Sequence, residues 1–132
     1  MNNKGFTLIE LLATITIIAI IASIITFSIG STLSLSEEKS YELFKNNVIN
    51  MANLYITECE ANSIDCNGEY NWNNNSTSFF AKNLILKGYF KSNELKNPIN
   101  EHDLTNCLII NVKKDINNSY NITLDDSKCS KI

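Results

Sequence analysis

The sequence predicts an α+β chain: a long N-terminal helix, apolar in its first half and amphipathic in its second, packed on a small antiparallel sheet. Three observations predict it. From Leu11 to Ser36 no side chain is charged. Beyond that run, Tyr41, Phe44, Val48, Met51 and Tyr55 recur at spacings of 3 and 4, and neither proline nor glycine interrupts the interval between Gly30 and Cys59. Near the end, Cys107–Val112 and Ser119–Leu124 are two short runs rich in β-branched residues, separated by a polar stretch. At 132 residues the chain has room for one small domain carrying an extended element. A formal net charge of −3, without an arginine-rich stripe, disfavours a nucleic-acid binder.

The apolar half comes first. Met1–Gly5 is polar and carries one positive charge, at Lys4; the apolar segment then runs from Phe6 to Ile29. As a helix it measures roughly 36 Å, enough for a hydrocarbon layer of about 30 Å. No small-residue cleavage site of the secretory kind follows it, so it reads as a spanning helix rather than a signal peptide. The preceding positive charge favours an amino terminus left in the cytoplasm. The isoleucine-rich run has modest intrinsic helix propensity, but in lipid the backbone must satisfy its own hydrogen bonds, which leaves only helix. Glu10 does not suit a plain anchor, because a lone carboxylate in such a segment costs several kcal/mol unless it has a partner. It either sits at the headgroup layer or meets a positive group from another chain. The sequence thus divides into 1–5, a polar leader; 6–30, the spanning helix; and 31–132, the amphipathic helix with a globular head.

Lys4-Gly5-Phe6-Thr7-Leu8-Ile9-Glu10-Leu11-Leu12, followed by Ile/Ala-rich helix, resembles the prepilin motif of type IV pilins and of the pseudopilins of type II secretion and competence systems. The resemblance is close over about the first 25 residues and architectural beyond them. It implies a pilin-like fold and cleavage between Gly5 and Phe6 by a membrane-embedded prepilin peptidase. It further implies methylation of the new amino terminus at Phe6, and an assembly role for Glu10, the acidic fifth residue after cleavage. The implied partners are the peptidase, other pilin subunits, the cytoplasmic membrane and an assembly platform. The implied location is the bacterial cytoplasmic membrane, with a single pass and an extracytoplasmic head, and then a cell-surface or periplasmic filament. Many major pilins carry a kinking proline midway along this helix; the only proline here is Pro98.

After Ser36 the helix signal continues to about Cys59, and its aromatic stripe needs a sheet to cover it. Cys59 to Asn75 reads as loop, with Gly68–Trp72 a candidate edge element and Trp72 either a lid over the core or an exposed contact. Ser78 to Gly88 reads as a short helix ending at a glycine C′ position, with Phe80 and Leu84 inward. Lys113–Asn118 is expected to turn the final hairpin. With positions 114 and 119 roughly opposite, Cys107 faces residue 126, within reach of Cys129. A third strand is needed for stability, from Gly68–Trp72 or Asp103–Cys107. The four cysteines are separated by 7, 41 and 22 positions and lie beyond the spanning segment, where an oxidising compartment favours pairing. Cys59–Cys66 and Cys107–Cys129 require the least rearrangement among three connectivities. Closely spaced metal-ligand pairs are missing, so no metal or other cofactor is expected.

An enzyme has little to stand on. Glu101-His102-Asp103 places three ionisable groups on adjacent positions that point apart, and reads as a solvated loop. Asp125-Asp126 reads as a hairpin end. The expected function is a structural subunit, a minor pilin or pseudopilin, of a type IV pilus-like filament. The competing reading is a single-pass membrane-anchored extracellular binding domain, which would keep Met1–Gly5.

Overall fold

The computed structural model describes residues 5–129, with backbone alone at 26–29. Met1–Lys4 of the expected leader, including Lys4, lie outside the described residues, as do residues 130–132. The elements are α1 (Leu8–Glu60), β1 (Ser76–Phe80), α2 (Lys82–Leu86), β2 (Ile109–Lys114) and β3 (Tyr120–Asp125). The long helix and small antiparallel sheet of an α+β, pilin-like fold are present. Two compact units divide the chain, Met1–Glu38 and Lys39–Ile132.

In the first unit α1 presents exposed apolar side chains: Leu8 is 83% exposed, and Ile15, Ile18 and Ile24 are also exposed. Several of its hydroxyls bond back to the helix's own carbonyls. Thr14 Oγ1 donates to Leu11 O at 2.8 Å, Thr16 Oγ1 to Ala13 O at 2.8 Å and Ser23 Oγ to Ile20 O at 2.7 Å. Such back-bonding removes most of the cost of carrying a hydroxyl through an apolar medium.

The second unit is built on the Lys39–Glu60 part of α1. Its inward face carries Val48, Ala52, Tyr55, Ile56 and Cys59, all buried, while Tyr41 and Phe44 at its start are half-buried. Facing them is a three-stranded antiparallel sheet in the order β1-β2-β3. Strand alternation puts Thr77 and Phe79 of β1, Ile110 and Val112 of β2, and Ile122 of β3 on the helix side. Leu84, Leu95, Leu104 and Leu108 close the core. Each fully buried aliphatic or aromatic side chain contributes about 1.5–3 kcal/mol, and the helix and sheet supply those residues jointly.

The third strand is not where the sequence suggested. Ser76–Phe80 forms β1, and only Lys82–Leu86 of the expected Ser78–Gly88 helix is helical. Phe79 is therefore inward and Phe80 outward, the reverse of the helical reading. The cause is a tight turn. Asn74 and Asn75 take φ of 48° and 61°, left-handed values that asparagine tolerates and that a two-residue hairpin turn requires. Asn73 N–H donates to Ser76 O at 2.8 Å and Ser76 N–H returns to Asn73 O at 3.0 Å. The chain thus leaves the turn extended and pairs with β2. Gly88 is the C′ residue that stops α2: it has φ of 83°, and its N–H donates to Ile85 O while Tyr89 N–H donates to Leu84 O, the paired bonds of a Schellman end.

The β2–β3 hairpin is one position out of the expected register, with Lys114 opposite Tyr120. Asn118, at φ 58°, adds a residue to the turn, which closes through Asp115 N–H to Ser119 O at 2.9 Å. Two disulfides are present, Cys59–Cys66 with Cα atoms 5.7 Å apart and Cys107–Cys129 with Cα atoms 5.0 Å apart. The first closes the chain leaving α1; the second ties the approach to β2 to the chain beyond β3.

Candidate functional site

The start of α1 holds the residues of the N-terminal motif. Gly5, Phe6 and Thr7 are non-helical and exposed, and Phe6 is 74% exposed. The Gly5–Phe6 peptide bond therefore lies in an open segment just ahead of the helix. A Cβ added at Gly5 meets nothing within 4 Å. The chain itself does not need glycine there for space, so any requirement for it belongs to whatever binds the segment.

Thr7 caps the helix. Its N–H donates to Glu10 Oε2 at 2.9 Å and its Oγ1 donates to the same oxygen at 2.8 Å. Glu10 N–H lies 3.4 Å from Thr7 Oγ1, and the N–H groups of Glu10 and Leu11 reach Thr7 O at 3.1 and 3.2 Å. This is a capping box, in which a Thr and a Glu three positions on satisfy helix-end groups reciprocally. Both local hydrogen bonds use Oε2. Among the described residues nothing engages Oε1, which leaves that oxygen open to another donor. The Thr7-Leu8-Ile9-Glu10 spacing carries this signal in the sequence, and it gives Thr7 a role that reading the carboxylate alone does not.

In the head, tyrosine–carboxylate pairs hold the loops to the helix. Tyr41 OH donates to Asp126 Oδ2 at 2.6 Å, Tyr55 OH to Glu69 Oε2, Tyr70 OH to Glu60 Oε1 at 3.0 Å and Tyr89 OH to Glu58 Oε2. Burial, then the facing carboxylate, pushes Tyr41 and Tyr89 up to about 12 and raises Tyr55 and Tyr70 further. Trp72 is half-buried, stacks on Tyr120 with centroids 6.3 Å apart and donates Nε1–H to Glu60 at 2.9 Å. It acts as the lid of the alternatives open at the sequence level. Glu101-His102-Asp103 lies in a loop between α2 and β2. Asp103 accepts from Thr105 N–H at 2.9 Å, and the Thr105 side chain, then this N–H, lowers its pKa; no group of metal-ligating side chains occurs among the described residues.

The model of the prokaryotic N-terminal methylation motif matches over residues 1–26. The chain carries a prepilin signal. The methylation motif is that of type IV pilin and pseudopilin precursors, a structural family rather than an enzyme family. It implies processing by prepilin peptidase and assembly with other pilin subunits. Its helix is long and apolar enough to cross a membrane, and none of its apolar stretch is buried. Motif and helix together fit membrane anchoring. No curated protein and no solved structure matches the chain.

Proposed function

We propose that the chain is a structural subunit, a minor pilin or pseudopilin, of a type IV pilus-like filament. The observation that carries this reading is the ordered set Gly5, Phe6, Thr7 and Glu10 at the start of an apolar helix whose described side chains up to Ile25 are exposed. Prepilin peptidase cuts between Gly5 and Phe6, and Phe6 becomes the methylated first residue. Until assembly the helix of residues 6–30 holds the protein in the cytoplasmic membrane in a single pass, with the head outside. An assembly platform then draws it into a cell-surface or periplasmic filament. The apolar helix leaves lipid favourably only for an equally apolar environment, which a bundle of such helices provides.

Glu10 sets the stagger in that bundle. A carboxylate among apolar helices needs a partner, and Thr7 supplies hydrogen bonds but no charge. Leader removal creates an ammonium at Phe6, and the open Oε1 of Glu10 on a neighbouring subunit is suited to accept from it. The test is incorporation of Glu10→Ala and Glu10→Gln into sheared filaments, relative to the membrane fraction, with head folding checked by protease resistance. Both variants should insert and fold yet fall in the filament fraction by tenfold or more, since a buried unpaired ammonium costs on the order of 3 kcal/mol. Normal incorporation of both would reject the pairing. A chain that stays in the membrane and keeps Met1–Gly5 would point to an anchored binding domain instead.

A further inference from the structure

The sheet face turned away from α1 is an open cavity of about 770 Å³, walled on one side by the loop Gly68–Asn73. We propose that it binds an acidic glycan: a polyhydroxylated chain carrying an anionic group. The floor is set by strand pairing. Register places Ser78, Asn111 and Thr123 in one cross-strand row and Ser76, Lys113 and Asn121 in the next. These side chains and Asn71 from the wall line the cavity. Among the described residues, no hydrogen bond engages the side chains of Asn71, Asn111, Asn121, Ser78 or Thr123. Side-chain amides offer a donor and an acceptor together, and hydroxyls do either. That mixture matches the hydroxyl pairs of a sugar ring and suits neither an apolar ligand nor a highly charged one.

Charge narrows the class. Two charged residues line the cavity, Glu69 and Lys113. Glu69 is occupied: Lys87 Nζ lies 2.9 Å from its Oε1, and Tyr55 donates to its Oε2. Lys113 has no ion pair among the described residues, so a single ammonium awaits an anion. One cation in a chain of net charge −3 is too few for a phosphodiester backbone; it matches a sugar carboxylate or phosphate spaced by neutral rings. The wall is already fixed. Tyr70 is pinned by Glu60 at 3.0 Å, Asn73 is locked by its two bonds to Ser76, and Cys59–Cys66 closes the chain just upstream. A preformed cleft loses little ordering entropy on binding. The assignment does not depend on filament assembly, because every residue used lies in the second unit.

The test uses the full chain in detergent micelles on a surface array of acidic oligosaccharides (uronate, sialylated and phosphorylated) and neutral oligosaccharides, with a single-stranded DNA oligonucleotide alongside. Acidic members should be retained over neutral ones. Losing both amides in Asn111→Ala/Asn121→Ala should weaken binding about tenfold or more. Lys113→Gln should abolish the preference for acidic over neutral members, while Lys91→Gln, outside the cavity, should change nothing. Trp72 fluorescence and disulfide mapping establish that the variants fold. No retention of any acidic member, stronger retention of DNA, or binding indifferent to the cavity variants would each overturn the assignment.

Discussion

At residue scale, processing and assembly turn on Gly5, Thr7 and Glu10. The capping box makes Thr7 the residue that aims Glu10. Thr7→Ala removes the hydroxyl but leaves the N–H bond to Oε2, so its cost to the helix end is about 1 kcal/mol. Its loss of filament incorporation should accordingly be smaller than that of Glu10→Ala, measured in the same sheared fractions; an equal or greater loss would assign Thr7 a contact of its own. Gly5 separates folding from recognition. Because a Cβ at Gly5 meets nothing, Gly5→Leu should leave the helix and head unchanged yet stop cleavage. The checks are gel mobility of the membrane-extracted protein and protease resistance of the head. Normal processing of that variant would place the specificity elsewhere.

At the scale of elements, what the sequence disclosed depended on how local the determining forces are. The long helix was legible because one interval lacks breakers and its stripe keeps a helical period, so Val48, Tyr55 and Cys59 fall on one buried face. β1 was not. Ser76–Phe80 alternates correctly, but Phe79-Phe80 running into Ala81 and Leu84 imitates a helical face, and only the pairing with β2 decides otherwise. The signal that could have found it is Asn74-Asn75, two residues that accept left-handed φ at a hairpin turn. The hairpin register slipped by one for the same reason, since the left-handed Asn118 lengthens the turn. At the motif, Gly5, Phe6 and Glu10 could be read directly, whereas the cap geometry of Thr7 required the helix start to be located. The disulfides carry a prediction here. In the chain-entropy account, removing Cys107–Cys129, which spans 22 positions, should cost about 3 kcal/mol, and removing Cys59–Cys66, which spans 7, about 2. Urea unfolding of the full chain in detergent, followed by Trp72 fluorescence, should show that order; a reversed order would mean that native contacts, rather than loop closure, set the contribution.

For the whole molecule, the four tyrosine–carboxylate pairs make the head sensitive to alkali. Tyr41 and Tyr89 move from an ordinary 10.0 up to about 12. A tyrosine raised in the fold keeps its proton where the unfolded chain has released it. Its stabilisation is therefore complete below pH 10 and is lost as pH climbs through 10 towards 12. Tyrosinate absorbance should rise together with loss of far-ultraviolet circular dichroism across that window. Tyrosinate appearing near 10 in a fully folded head would contradict the pairing.

The central claim, that this is a precursor processed for assembly, is tested most directly by the amino terminus of the protein extracted from membranes of cells that contain prepilin peptidase. Intact-mass analysis with N-terminal peptide sequencing should find a chain that has lost Met1–Gly5 and begins at Phe6 with one added methyl group. A mature chain that retains Lys4 would contradict the account.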